Sequence, residues 1–293
     1  MKKMLTILAI CALPVLAFAN AAPAVTPAPQ NIALPQKGII VVPVKVGQYF
    51  KKGDLLFSLN SAEYETQKII AEANMLSAME TFKIDRKLVA TKSISIDAYQ
   101  DELSQYRAAA MKYQTAVENI KQCYVYAPYD GTVMSITNYT GSGYGDGNTA
   151  MTIQEGNLTV PSAPIVAQVD NRFEGIVNLY VHLGEKVKAG QPLFSCDSQI
   201  NEIQLRTDEA ALVYSKEVFE RDKALIASHT ISYGQYITDK YTYIADLATV
   251  MYDKIEIANS ISCSPFDGTV TAIGYAQGSG PGSGDDIVNI TQN

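Results

Sequence analysis

The pattern of hydrophobic and polar positions changes character twice along the first half of the chain. Residues 38–59 form short runs rich in β-branched side chains and broken by glycines, which predicts short β-strands joined by turns. Residues 61–122 contain neither glycine nor proline, as expected of a long helical region, and the polar segment Ser93–Ser95 divides this region into two arms. The β pattern resumes at Tyr124. The sequence therefore predicts a small β module that is split by two helices.

The second helical arm carries apolar residues at alternating spacings of four and three, which is the pattern of a coiled-coil seam. These positions are Tyr99, Leu103, Tyr106, Ala110, Tyr113, Val117 and Ile120. Two such arms around a short turn predict an antiparallel helical hairpin, roughly 40 Å long for about 28 residues per arm.

The same pattern occurs a second time. Shifting the chain along itself so that Gly38 falls on Gly175 aligns the two halves without a gap, and we call this shift the repeat offset. Other matched residues include Gly47 with Gly184, Gly53 with Gly190, Tyr99 with Tyr236, Pro128 with Pro265 and Gly131 with Gly268. The sequence predicts an α+β protein with modules at 38–153 and 175–290, hairpins at about 61–122 and 198–259, and a linker at 154–174.

The N-terminus carries an export signal. Lys2 and Lys3 precede an apolar run, and small residues follow at positions 17, 19 and 21, which predicts a cleaved signal peptide at 1–21. An uncleaved anchor and a lipoprotein cleaved before Cys11 are the alternatives. Residues 22–37 are rich in proline and predict an extended linker.

Composition narrows the function. The net charge is −7 and there is no run of lysine or arginine, which argues against nucleic acid as a partner. Two histidines and four cysteines leave no nucleophile–base pair or metal-ligand spacing, so no catalytic residues, no metal and no enzyme activity are expected. The glycine-rich segments 141–147 and 278–284 lack the Lys-Ser/Thr of a phosphate loop and predict surface turns. Weak cation binding by Asp146, Asp285 or Asp286 is the alternative.

Two motifs flank each hairpin. In the first half they are Val46-Gly47-x5-Gly53-x2-Leu56 and Ala127-Pro128-Tyr129-Asp130-Gly131-x-Val133. In the second half they are Leu183-Gly184-x5-Gly190-x2-Leu193 and Ser264-Pro265-Phe266-Asp267-Gly268-x-Val270. This organisation resembles the membrane fusion proteins, the periplasmic adaptors of efflux pumps and type I secretion systems.

The resemblance implies a lipoyl-like (barrel-sandwich) β module that is interrupted by a coiled-coil hairpin. It also implies a non-enzymatic periplasmic protein that forms a homo-oligomeric ring or tube and joins an outer-membrane channel to an inner-membrane transporter. Lipoyl domains modify a lysine at the break where this chain has Asn60-Ser61 and Asp197-Ser198, so no cofactor is expected.

The resemblance extends to the hairpin tip, where the family's Arg, Leu and Ser contact the channel. The second hairpin has Arg221, Leu225 and Ser232, whereas the first has Leu88 and Ser95 but Ile84 in place of the arginine. Any hairpin would use serines there as N-caps and leucines for packing, which is the alternative interpretation.

The β-barrel and membrane-proximal domains that members of the family usually have are not expected in this chain. The duplication is expected to supply two neighbouring hairpins in one chain, which relatives obtain by pairing two subunits. If the assembly keeps the family's ring of six hairpins, three chains would be enough. A structural scaffold or accessory subunit of another envelope complex, with no substrate conduit, is the alternative.

The cysteines lead to one local prediction. Export leaves Cys123, Cys196 and Cys263 in an oxidising compartment. Cys196 precedes the second hairpin and Cys263 follows it, and because the ends of a hairpin are close, we predict a Cys196–Cys263 disulfide. Three reduced thiols are the alternative.

Overall fold

The computed structural model describes residues 27–141, 145–161, 163–171, 173–196, 198–282 and 284–293. The predicted signal peptide at 1–21 lies outside the described residues. Of the helices within these ranges, none has the length and hydrophobicity that crossing a membrane requires.

The first half of the chain forms seven strands and two helices. They are β1 (Gln30–Ala33), β2 (Ile40–Val41), β3 (Tyr49–Phe50), β4 (Leu55–Leu59), α1 (Ala62–Ala90), α2 (Ile96–Gln122), β5 (Tyr124–Tyr126), β6 (Gly131–Ile136) and β7 (Thr149–Glu155). The first unit thus consists of strands on both sides of two long helices.

The second half has the same order of elements. They are β8 (Val166–Asp170), β9 (Val177–Leu179), β10 (Lys186–Val187), β11 (Pro192–Cys196), α3 (Gln199–Ala227), α4 (Tyr233–Asn259), β12 (Ile261–Cys263), β13 (Gly268–Ile273) and β14 (Asp286–Gln292). Helix α3 begins and ends at the positions that match α1 at the repeat offset, and α4 begins and ends at the positions that match α2.

Each unit consists of two antiparallel sheets. The strand orders are β1-β7-β6-β3 and β2-β4-β5 in the first unit, and β10-β13-β14-β8 and β12-β11-β9 in the second. Alternate residues of these strands point into a core in which Phe50, Phe57 and Ile153 are fully buried in the first unit, and Phe194 and Ile290 in the second. Each core anchors the base of one helix pair.

Both segments predicted as linkers contain a strand, which corrects their boundaries. Strand β1 lies within 22–37 and pairs with β7, and β8 lies within 154–174 and pairs with β14. Each is an edge strand, where nearby prolines are tolerated because one side of the strand makes no ladder hydrogen bonds. In β8, exposed residues alternate with buried Ala167 and Val169.

Aromatic stacking holds the helices of each pair together. The ring of Phe82 on α1 lies 5.4 Å from that of Tyr99 and 5.7 Å from that of Tyr106, both on α2. Phe219 on α3 makes the same contacts with Tyr236 and Tyr243 of α4, at 5.9 and 5.6 Å. Each antiparallel pair is therefore joined by a cluster of three aromatic rings.

The two helix pairs pack side by side through α1 and α4. At the base, the side-chain amide of Asn259 donates to the carboxylate of Glu63. Near the tip, Ile84 contacts Gly234 in the first turn of α4. Because α2 and α3 make no comparable contact with the opposite pair among the described residues, the helices form a layer in the order α2–α1–α4–α3. Both tips therefore lie at the same end of the molecule.

Candidate docking site at the hairpin tips

The two tips share one backbone conformation. The turns between the helices place Lys92 and His229 at φ values of 57° and 55°, in the left-handed region. Ser95 and Ser232 follow as N-caps, and the hydroxyl oxygen of each accepts a hydrogen bond of 3.1 Å from the backbone N–H three residues later. Capping satisfies a free N–H at the start of the return helix. The serines therefore have a structural role in both tips, and both remain exposed.

Arg221 lies on the outer edge of α3, about 9 Å below the end of that helix at ~1.5 Å per residue. Its side chain is 61% exposed, and its Nε and Nη2 atoms are each 3.0 Å from Oδ1 of Asp222, which is only 1% exposed. The ion pair fixes the inner end of the guanidinium and leaves the rest facing solvent. Leu225, one turn closer to the tip, is half-buried.

Two carboxyl groups meet behind Arg221, between α3 and α4. Hydrogen bonding with Asp239, and then the Arg221 guanidinium, lower the pKa of Asp222. Burial, and then the Asp222 carboxylate, raise the pKa of Asp239. The two shifts have opposite directions, so Asp239 binds a proton more readily than Asp222 as the pH falls.

The first tip differs because its arginine position faces a neighbour. Ile84, the counterpart of Arg221, packs on α4, where its Cδ1 lies 3.0 Å from the site that a Cβ on Gly234 would take. An arginine there would place a charge between two packed helices, and burying a charge is costly. Leu88 is half-buried and Ser95 is exposed, so the first tip presents the serine without the cation.

An open groove separates the two tips. It has a volume of about 410 Å³ and is lined by Thr81 and Ile84 of α1, by Ser232, and by Tyr233, Gly234 and Thr238 of α4. Sequence reasoning missed this groove, because it is formed by the contact between hairpins and no periodic signal predicts that contact.

The predicted Cys196–Cys263 disulfide is not formed, since both thiols are free in the structure. In the β11–β12 ladder Cys263 lies opposite Pro192, whereas Cys196 lies level with Ser260. An offset of three to four residues separates the cysteines by roughly 10–13 Å along the strands. Since a disulfide needs Cα atoms within about 7 Å, this register excludes the bond.

Cys123, at the base of the first hairpin, is a buried thiol with defined partners. Its Sγ accepts from the Gln36 amide at 3.1 Å and donates to the Asn119 carbonyl at 3.5 Å. Burial raises the pKa of Cys123 to about 11, so this thiol is neutral and unreactive.

The acidic residues of the glycine-rich turns have local partners. Asp285 accepts from the Gly282 backbone at 2.8 Å and from the Tyr275 hydroxyl at 2.8 Å. Burial, followed by the Asp286 carboxylate, raises the pKa of Asp170 to about 8, so that pair binds a proton. Residues 142–144 and 283 of the glycine-rich segments lie outside the described residues. Within the described ranges, neither Asp146 nor any other residue belongs to a group of three or more side chains that could hold a metal ion.

No protein-family model matches the chain. A stretch of 87 residues, 30% of the chain, is 31% identical to the solvent efflux pump periplasmic linker SrpA of Pseudomonas putida and covers 23% of that protein. A stretch of 115 residues, 39% of the chain, is 28% identical to the multidrug resistance protein MexA of Pseudomonas aeruginosa and covers 30% of it. The chain is similar to these proteins over part of its length, and this similarity supports the resemblance to the membrane fusion protein, or periplasmic adaptor, family.

The match to these adaptors spans less than a third of the length of either relative. Among solved structures, the chain is 27% identical to a MacA-MexA chimera that contains the Pseudomonas aeruginosa MexA α-hairpin domain, covering 44% of this chain and 48% of that one with a TM-score of 0.40. A putative efflux transporter from Bacteroides eggerthii is 18% identical, covering 55% and 54% with a TM-score of 0.41.

Proposed function

We propose that this protein is a non-enzymatic periplasmic adaptor that docks its hairpin tips onto an outer-membrane channel of an efflux or secretion system. The observation that carries the proposal is the α1–α4 packing, which brings both tips to one end of the molecule. A single chain thus offers two neighbouring tips to one partner. The β modules lie at the opposite end, where an inner-membrane transporter would be reached.

The docking surface consists of Arg221, Leu225 and Ser232 on the second tip, with Leu88 and Ser95 on the first. Arg221 supplies an exposed cation whose orientation is fixed by Asp222. A guanidinium suits docking because it forms bidentate hydrogen bonds with carboxylates or backbone carbonyls of a helical partner. The groove between the tips adds the apolar side chain of Ile84 and the ring of Tyr233 beside these polar groups.

Two further features belong to the proposal. The two-sheet units are lipoyl-like modules that arose by duplication, which is supported by the recurrence of every helix bound at the repeat offset. Several copies of the chain assemble into a ring or tube in the periplasm after the signal peptide at 1–21 is removed. Efflux-pump linkers among the relatives support this location and role.

In-cell photocrosslinking tests the proposal. A benzoylphenylalanine probe replaces Tyr233, an aromatic residue beside Ser232 whose exposure leaves room for the larger benzophenone. The matched control places the probe at Tyr126, an equally exposed tyrosine at the base of the first hairpin. Capture of an outer-membrane channel from position 233 but not from 126 would support docking. Capture from 233 of another envelope protein, with no channel, would overturn docking in favour of a scaffold.

A further inference from the structure

The face of α1 that packs against α4 has an exposed counterpart on α3. Along α1 this face is formed by residues that are buried or half-buried, and the positions on α3 that match them at the repeat offset are all exposed. The α1 residues are Thr66, Ile70, Ala73, Ser77, Glu80 and Ile84. The α3 residues, which we call the α3 stripe, are Ile203, Thr207, Ala210, Tyr214, Glu217 and Arg221.

The same relationship holds for the partner helix. The face of α4 toward α1 includes Ile237 and Ala248, of which Ala248 is 1% exposed. Their counterparts on α2 are Gln100 and Met111, and Met111 is 72% exposed. We call the exposed face of α2 the α2 stripe, and its members are Asp97, Gln100, Ser104, Ala108, Met111 and Thr115.

The α2 stripe borders an open groove of about 520 Å³ on the outer side of the first helix pair. Ala108, Met111 and Thr115 line it. The α3 stripe places Ala210 and Tyr214, the latter 71% exposed, at the opposite edge of the molecule. Exposed apolar groups therefore lie on both outer helices, at the positions that form the buried contact between the inner helices.

We propose that α3 of one chain packs antiparallel on α2 of a second copy, so that the α1–α4 contact within the chain is repeated between chains. This inference rests on the homo-oligomeric adaptor proposed above and names the surface that joins its subunits. The contact is heterologous, because the α3 stripe of each copy meets the α2 stripe of the next. Such contacts propagate until the rotation closes a ring, and closure leaves no unpaired helix edge.

Applying the repeat offset to the observed contacts gives the register. At the repeat offset Ile84 matches Arg221, and Gly234 matches Asp97. The contact between Ile84 and Gly234 near the tip therefore corresponds to a contact between Arg221 of one copy and Asp97 of the next. Ala73 and Ala248, both nearly inaccessible, lie at matching heights on the inner helices, and they become Ala210 against Met111.

Charge and size support this register. Arg221 is exposed, and Asp97 and Asp101 give the facing end of α2 a negative charge. A cation therefore meets an anion where the contact within the chain has an isoleucine and a glycine. The alanine at 210 leaves room for the long Met111 side chain, which adapts to irregular surfaces.

Sedimentation velocity of the protein purified after export, over a range of concentrations and without any channel, tests the inference. We expect Arg221→Asp and Asp97→Arg each to weaken association about tenfold or more, and the double variant with both changes to restore it. Lys216→Asp makes a comparable change of charge on α3 away from the stripe and should leave association unchanged. Ala210→Arg, at an exposed position in the single chain, should abolish association while the helical circular dichroism is retained.

A protein that stays monomeric, or oligomers that resist all of these substitutions, would overturn the inference. Failure of the double variant to restore association would overturn the register. Because no channel is present, these outcomes are independent of docking. Intact oligomers together with no channel capture from Tyr233 would instead contradict the proposed function.

Discussion

Asn259, the last residue of α4, donates its side-chain amide to Glu63, in the first turn of α1, far away along the sequence. This bond joins the bases of the two hairpins. Asn259 is 8% exposed, so its amide has little access to water that could replace a lost partner. The bond therefore contributes to fixing the hairpins in parallel.

A double-mutant cycle of Glu63→Ala and Asn259→Ala measures this contribution. We expect a coupling free energy of about 1–2 kcal/mol in chemical unfolding, since hydrogen bonds to charged groups are stronger than neutral ones. Glu65→Ala is the matched control, because it removes an acidic residue from the same turn of α1 whose carboxylate accepts from Ser61. Equal coupling of Glu65 and Glu63 to Asn259 would show that the bond is not specific.

The two tips should respond differently to substitution at the equivalent positions Ile84 and Arg221. Ile84→Arg places a charge in the contact with α4, and we expect it to destabilise the protein by roughly 1–3 kcal/mol. At the equivalent position of the second tip, Arg221→Lys keeps a cation beside the buried Asp222 carboxylate and should alter stability by less than about 0.5 kcal/mol. Urea unfolding of both variants gives the comparison. Equal costs would contradict the packing of Ile84 between the hairpins.

The role of Ser232 as a cap can be separated from a role in docking. Ser232→Ala removes the hydroxyl that caps α4 and should cost about 1 kcal/mol of stability. Ser232→Asp keeps an effective cap but replaces the hydroxyl by an anion, so it should keep stability and lose capture of a channel. The same change in the first tip, Ser95→Asp, serves as the comparison. If Ser232→Asp kept full capture, the serine would have only its structural role.

The second hairpin should gain stability on acidification. Burial, and then Asp208 on the facing helix, raise the pKa of Asp253 to about 6. The unfolded value is about 3.9, so the folded protein takes up a proton that the unfolded chain does not. This contribution to stability is complete below about pH 4 and is lost as the pH rises through about 6.

Asp253→Asn should therefore remove most of the change in stability with pH between about pH 4 and 6. At pH 7 it should raise the free energy of unfolding by an amount on the order of 1–2 kcal/mol. Thermal unfolding followed by circular dichroism across this range is the measurement. Glu209→Gln, which removes a surface ion pair with Lys254, should leave the slope unchanged. A slope that persists in Asp253→Asn would contradict the carboxyl pair.

All three cysteines of the exported protein should be free. The exported protein, cleaved after the signal peptide, is alkylated under denaturing conditions without reductant. Its intact mass should then show three labels. A single label would show that two of the three cysteines are joined, and a peptide map would then test for Cys196–Cys263 despite the register of β11 and β12.

Local features of the fold could be predicted from the sequence because they depend on neighbouring residues. The glycine- and proline-free region 61–122 contains α1 and α2, and the heptad positions Tyr99 and Tyr106 contact Phe82 across the pair. Ser95 and Ser232 open the return helices as caps. Caps and helical periodicity are encoded within a few residues, so these interpretations needed no long-range information.

Long-range contacts could not be predicted in the same way. The face of α1 toward α4 consists of threonine, alanine, serine and glutamate beside two isoleucines, so its hydrophobic pattern does not distinguish it from an exposed face. The cysteine prediction was wrong because the proximity of hairpin ends does not determine strand register, and a bulge between Pro192 and Phe194 shifts it further. Strand β1 was missed because the prolines around it are typical of a linker.

Pulsed electron paramagnetic resonance can measure whether one chain presents its two hairpin tips side by side at one end. Spin labels are placed at Lys92 and His229 in a variant without the native cysteines. Helices pack about 8–10 Å apart, so we expect a distance on the order of 20–30 Å between the labels. Hairpins that point in opposite directions would instead place the tips at about 80 Å or more, the length of two hairpins, and that result would show the parallel arrangement to be wrong.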